Sequence, residues 1–426
     1  MSKMVRVGFT TLLLLGLISC GKDRPYLSGH VRRAFDAVLT TCDPYDLGSI
    51  QSCVVFSSAF RESLYVYNAT AGEMVLGPIG YLPLKIKVGR STDQLVTVVS
   101  ENTRFPFMFA LDRAQAEYFP IRLFPSSDKK VRSFSEPKPV KLHRPPSHMA
   151  AVEVGGKIIA VGTYPKEHRI DFFAINPETG GLDQTIAPVS VDVLGKSPRR
   201  VVIAKNKVAV ITDEANNSLL VLDLAYALGS LTAGEKPTLN EIDINMPSNQ
   251  LYLSQRDFGF GMELFAVVFR AVSKEVKLVN ITKRKVEGSY SFDSNPVAGY
   301  FPDKDSDLCC SDIKNWFSVV TIKGDLHYMA VKADKGNITL EKALTVDLTE
   351  TSNLALGKLY VTQILGGAIE RDPKKESLCK NNRETFFITS YANSRSYAAT
   401  EPVEVEGHGY SCEGDGTASR FGYVVK

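Results

Sequence analysis

Few residues in this chain have both the type and the placement to do chemistry. His148 follows Pro146 and Ser147, Glu153 lies further along the same apolar-alternating stretch, and Arg199 and Arg200 follow Pro198. An imidazole can take a proton from water, a carboxylate can assist it, and guanidinium groups can hold a developing oxyanion. Gathered in one place, these four groups could hydrolyse an ester. The rest of the chain offers little catalytic signal. It has no nucleophile elbow, phosphate-cradling glycine loop or dinucleotide fingerprint. The six histidines are scattered and no Cys-x-x-Cys occurs, which argues against zinc. The acidic, glycine-bearing stretch 401–416 lacks EF-hand spacing and reads as an ordinary acidic loop. No metal and no cofactor are expected.

The elements that must position these groups are strands. A pair of short strands recurs, beginning near residues 54, 95, 158, 208, 264, 316 and 386. Each copy has an apolar run such as Val208-Ala209-Val210-Ile211, a polar turn, then an alternating strand such as Leu219-Leu220-Val221-Leu222. Prolines 83, 146, 198, 247 and 296 open a further strand upstream of five copies. Three or four strands in a unit of about fifty residues, with almost no helical periodicity, describe the blade of a β-propeller. The expectation is an all-β propeller of seven blades; six or eight, or two stacked sandwiches, would also fit the spacing. The C-terminal run Arg420–Val425 is expected to complete the first blade and latch the ring.

One stretch carries a family resemblance. Ser197-Pro198-Arg199-Arg200-Val201-Val202, followed by Lys207-Val208-Ala209-Val210-Ile211-Thr212-Asp213 and Asn217-Ser218-Leu219-Leu220-Val221-Leu222-Asp223, resembles a blade of the Tyr-Val-Thr-Asn repeat, lactonase-like propellers. Tyr360-Val361-Thr362 echoes it, and Ala174-Ile175-Asn176-Pro177-Glu178-Thr179-Gly180-Gly181 resembles the turn that closes such blades. The resemblance implies a propeller. It also implies, as an alternative activity, a lactone or related ester hydrolase whose groups project into the central channel.

The N-terminus addresses the question of place. Lys3 and Arg6 precede an apolar run that ends Leu17-Ile18-Ser19-Cys20-Gly21. A basic start and a short apolar run read as an export signal, too short to span a bilayer. The end of the run resembles the lipobox of bacterial lipoproteins, which implies cleavage before Cys20 and acylation of its thiol, palmitate included. The expected organisation is a signal peptide over 1–19, a lipidated tether with a disulfide loop over 20–52, and a propeller over 53–426 with an irregular insert at 121–150. Export makes the remaining cysteines, 42, 53, 309, 310, 379 and 412, disulfide candidates. Cys42 with Cys53 is the favoured local pair, and Cys379 with Cys412 a second.

Losing Lys3 and Arg6 with the signal lowers the formal charge from +3 to +1. No global field then attracts nucleic acid. The insert holds Arg122, Lys129, Lys130, Arg132, Lys138, Lys141 and Arg144 among five prolines. In an exported chain it reads as a solvated, extended excursion rather than a nucleic-acid site. The sequence thus predicts a monomeric, lipid-anchored envelope protein, on the outer membrane in preference to the inner. Its propeller would act as a scaffold that binds envelope proteins or a surface ligand, largely through loops such as 303–312 and 370–383.

Overall fold

The computed structural model describes residues 34–347, apart from 59–61, 69, 72, 79, 81, 129, 260, 303–314, 324 and 335. Beyond them it describes the backbone of the strands Leu359–Ala368, Glu384–Ala392, Val405–Cys412 and Ala418–Val425. Cys20, Cys309, Cys310, Cys379 and both loops expected to bind partners lie outside the described residues.

Seven antiparallel sheets follow one another along the described chain. Blade 1 is β1 (Ala34–Cys42), β2 (Gln51–Ser58), β3 (Ser63–Asn68) and an outer edge split into β4 (Glu73–Met74) and β5 (Lys85–Lys87). Blade 2 is β6 (Thr92–Val99), β7 (Phe107–Asp112), β8 (Glu117–Arg122) and β9 (Val140–Lys141). Blade 3 is β10 (His148–Val154), β11 (Lys157–Tyr164), β12 (Arg169–Ile175) and β13 (Val189–Asp192). Blade 4 is β14 (Pro198–Ile203), β15 (Val208–Asp213), β16 (Ser218–Asp223) and β17 (Asn240–Asp243). Blade 5 is β18 (Gln250–Asp257), β19 (Met262–Phe269), β20 (Glu275–Asn280) and β21 (Lys285–Ser291). Blade 6 is β22 (Pro296–Tyr300), β23 (Trp316–Thr321), β24 (Asp325–Asp334) and β25 (Asn337–Asp347). Blade 7 is β26 to β29, the four C-terminal strands in chain order.

The first strand of each blade lies against the first strand of the next, from β1 through β6, β10, β14, β18 and β22 to β26, and β26 returns to β1. The ring is closed and the chain is a β-propeller. Apolar clusters fill each described gap between neighbouring blades. Met108, Ile121 and Val66 sit between blades 1 and 2, Phe109, Tyr118 and Ala160 between 2 and 3, and Ile211, Val152 and Phe172 between 3 and 4. Strands alternate side chains between faces, so each sheet contributes to two such gaps and both faces are buried. This is why the sequence reads as apolar runs rather than as strict alternation.

Several expectations change. Residues 34–42, assigned to the tether, form β1, the innermost strand of blade 1, so the propeller begins well before residue 53. The C-terminal run does not complete blade 1; it is β29, the outer strand of blade 7. Ring closure therefore involves no exchanged strand, because blade 1 is built wholly from the N-terminal side. In blade 2 the recurring strand pair is the first and second strand, whereas in blades 1 and 3 to 6 it is the second and third, so the apparent repeat slips in phase. Pro83 leads an outer strand rather than an inner one.

The insert 121–150 is not a free excursion. Its ends belong to β8 and β10, with β9 in between, and Phe124, Phe134 and Leu142 are buried. Ser133 donates to Asp46 Oδ1 through both its backbone N–H (2.9 Å) and its hydroxyl (2.7 Å), strapping the segment to blade 1. A helix the periodicity missed, α1 (Leu224–Thr232), follows β16, with Asp223 accepting from the Tyr226 N–H as its N-cap. It buries Leu224, Ala227 and Leu231, the i, i+3, i+7 face of a short helix.

Cys42 and Cys53 are disulfide-bonded, tying the end of β1 to β2 within the apolar cluster between blades 1 and 2. The bond spans a sequence separation of 11 residues. A loop of that length constrains the unfolded chain by about 3 kcal/mol. Urea unfolding of a Cys42→Ala/Cys53→Ala variant is expected to show that loss, and an unchanged midpoint would show the bond to be energetically idle.

Candidate functional site

The innermost strands run the same way along the propeller axis, as the parallel pairing of Ala151 with Val98 and Val152 with Val99 shows directly. Their N-terminal ends therefore gather at one mouth of the central channel. That mouth opens into a cavity of about 660 Å³. Its charged and titratable lining is Asp36 from β1, Asp93 from β6, Arg113 from the turn after β7, His148 from β10, and Arg199 and Arg200 from β14. Gln94, Gln250, Tyr252 and Tyr300 add polar edges, and apolar residues such as Val99, Ala151 and Val202 line it further down.

Three of the four groups singled out by sequence thus meet in one cavity. Glu153 does not. It sits five positions along β10 from His148, which is about 16 Å of strand, and an odd separation turns it to the other face. It accepts a hydrogen bond from Ser100 Oγ there. The ester-hydrolysing set of His148, Glu153, Arg199 and Arg200 is therefore not assembled. The carboxylates at the mouth are Asp36 and Asp93, which sequence reasoning overlooked. Asp36 was missed because its strand was taken for tether. Asp93 was missed because the start of β6 was read at residue 95. The available signal was positional: Asp36, Asp93, Gln94, His148, Arg199 and Arg200 each occupy one of the first three residues of an innermost strand.

Much of this polar layer joins blades. Innermost strands diverge before a backbone ladder can form between them, and side chains take its place. Asp36 Oδ2 accepts from the Leu95 N–H (2.6 Å), joining β1 to β6, while Oδ1 accepts from the Ala37 N–H. Gln94 pairs with both backbone groups of Met149, accepting from its N–H (2.9 Å) and donating to its C=O (2.7 Å), joining β6 to β10. Thr163 Oγ1 donates to the Arg199 carbonyl (2.7 Å), and Arg200 Nη1 donates to Gln250 Oε1 (2.7 Å), joining β14 to β18. The Arg200 guanidinium also lies 5.2 Å above the Tyr252 ring.

The electrostatics follow from burial. Asp36 is pushed up to about 6 by removal of its carboxyl from water, which the Leu95 N–H and Arg200 only partly offset. Asp93 is also raised by burial, although it is ion-paired with Arg113 Nε. Arg113 in turn donates to the Ser147 carbonyl (2.9 Å). Burial, reinforced by Arg200, Arg113 and Arg199, holds His148 well below the usual imidazole range, so its ring is neutral at physiological pH. Arg199 is half exposed at the rim, with Glu214 at 3.8 Å. Among the described residues no group of His, Cys, Asp and Glu side chains could hold a metal ion.

No family model and no curated protein matches this sequence. Solved structures match by shape. Kluyveromyces lactis Hsv2 aligns at a TM-score of 0.52 with 10% identity, covering 93% of this chain and 98% of its own. The dihydro-heme d1 dehydrogenase NirN in complex with DHE aligns at 0.50 with 10% identity, covering 94% of this chain and 74% of its own. Likeness at that identity establishes the propeller fold and nothing about activity.

Two outcomes test the site's energetics. Gln94→Ala leaves the Met149 N–H and C=O unpaired, and urea unfolding is expected to show a loss of about 3 kcal/mol. An effect below 1 kcal/mol would mean that the Gln94 amide does not join the blades. Asp36 carries the second. The folded protein binds its proton more tightly than the unfolded chain, whose carboxyl sits near 3.8. Stability therefore falls as pH rises from about 4 to about 6. Midpoints compared across that window should show a shallower fall in Asp36→Asn, and identical slopes would refute the shift.

Proposed function

We propose that this protein is an exported lipoprotein of the cell envelope, held on a membrane through acylated Cys20, whose propeller is a binding scaffold with its ligand seat at the channel mouth. The observation that carries the binding half is the convergence of six charged side chains or imidazoles, from five different strand ends or turns, around a cavity of about 660 Å³. Cavities of that size with a few fixed polar groups are the usual form of a small-ligand site. Binding suits the mouth better than catalysis. Both Asp36 oxygens already accept backbone N–H groups, Asp93 is held by Arg113, and Glu153 is remote. The carboxylate that sequence pairs with His148 is thus absent from the mouth, and Asp93 is ion-paired with Arg113 through Oδ2. Support for the anchoring half is the Leu17-Ile18-Ser19-Cys20-Gly21 sequence after a short apolar run. Residues 21–33 then link the acylated cysteine to β1, which keeps the propeller within reach of envelope proteins.

The anchoring half is tested by growing cells expressing the tagged chain with labelled palmitate. Label and membrane fractionation are expected for the wild type, and both should be lost in Cys20→Ala. Membrane attachment that survives the substitution would overturn the lipid anchor. Crosslinking in the same cells tests docking: a reproducible envelope partner supports it, and capture indistinguishable from the Cys20→Ala control counts against it.

A further inference from the structure

Two buried atoms at the channel mouth have no hydrogen-bond partner among the described residues: Arg200 Nε, a donor, and Asp93 Oδ1, an acceptor. A third unmatched group follows from valence. The Gln94 amide cannot be turned over, because its oxygen takes the Met149 N–H and its nitrogen gives to the Met149 carbonyl. Its nitrogen therefore faces the imidazole, 3.3 Å from Nδ1 and 3.1 Å from Nε2 of His148. The remaining polar neighbour of the ring is the Val201 N–H, 3.5 Å from Nδ1, which is also a donor. A neutral imidazole has one accepting nitrogen and one N–H. With only donors around the ring, its N–H meets no acceptor among the described residues.

The mouth thus holds two unmet donors and one unmet acceptor. Its lining carries three guanidinium groups against two carboxylates, and with Glu214 3.8 Å from the half-exposed Arg199 the surplus is at most one positive charge. Unmet polar groups out of water are costly and mark where a complementary ligand gains most. Taking the mouth as the ligand seat, as above, we infer that it binds a small molecule with a single carboxylate and a separate hydroxyl or amine. Both Arg200 Nε and Asp93 Oδ1 are buried, so the ligand reaches them as these two lining side chains turn toward the cavity. Its carboxylate oxygens then accept from Arg200 Nε–H and the His148 ring N–H, and its hydroxyl or amine donates to Asp93 Oδ1. Guanidinium recognises carboxylate with matched geometry and strengthened hydrogen bonds. A phosphate dianion would overcompensate the surplus charge, so a carboxylate is the better match. A chain with no donor would leave Asp93 unsatisfied.

The test uses the purified full chain and a set of acid probes: lactate, 3-hydroxybutyrate, quinate and glutamine. Each is paired with its primary amide, and propionate and inorganic phosphate are added. Saturation-transfer NMR finds binders and calorimetry ranks them. Acids are expected to bind at least tenfold tighter than their amides and than phosphate. Arg200→Gln should weaken the acids at least tenfold, with partial recovery in Arg200→Lys, and Asp93→Asn should weaken the hydroxylated or aminated acids but not propionate. Melting temperatures check that each variant folds, and the acid–amide comparison on the wild type stands without them. Acids and amides bound alike, or phosphate bound tighter, would overturn the carboxylate assignment while leaving the mouth as a ligand seat. No binding by any probe would overturn both.

Discussion

The structure depends on how the innermost strands are joined without a continuous ladder. Seven strands around an axis run parallel and splay apart, so most of their facing backbone groups cannot pair with each other. The two-residue bridge between β6 and β10 is as far as direct pairing goes in the described ring. Elsewhere buried N–H and C=O groups still need partners. Asp36, Gln94 and Thr163 supply them, each reaching from one blade to the next, and Arg200 adds a side-chain link to Gln250. Apolar clusters between the sheets provide bulk cohesion, and these polar links fix how far each blade rotates relative to its neighbour.

The same layer creates the site. Groups that join blades must stand at the N-terminal ends of the inner strands, and that is where the channel opens. A ring of polar side chains at a mouth is therefore first a structural necessity. What separates function from bracing is saturation. Both oxygens of Asp36 and the oxygen of Gln94 are engaged by backbone N–H groups. Arg200 Nε, Asp93 Oδ1 and the His148 N–H are not, and their residues line one cavity. The low basicity of His148 belongs to the same picture: burial is its main cause, and the arginines that reinforce it are those that make the mouth positive.

Closure adds a further constraint. Many rings could be shut by borrowing a strand from the far end of the chain, but here blade 1 and blade 7 are each contiguous in sequence. The first blade is secured by other means. The Cys42–Cys53 bond clamps β1 to β2, and the 123–135 segment from blade 2 folds back to satisfy Asp46 and to bury Phe134 beside Val38 and Val55. The charges of that segment stay outside while its aromatic residues enter the core, which is why composition alone made it look like a solvated arm.

The sequence by itself determined the periodicity of paired strands, and with it the expectation of an all-β propeller, seven blades being favoured over six or eight or two stacked sandwiches. Strand periodicity and turn residues are local properties, readable along the chain. The Cys42–Cys53 pairing was local too, since few residues separate them. Position at the mouth was partly legible: His148, Arg199 and Arg200 were placed at strand openings and do meet there. Tertiary structure alone decided the rest. It decided that β1 lies inside the ring, that Glu153 faces away, and that Asp36 and Asp93 complete the layer. Those facts depend on register and on which blade end faces which mouth. They are relations between residues about fifty positions apart, and no window along one strand contains them.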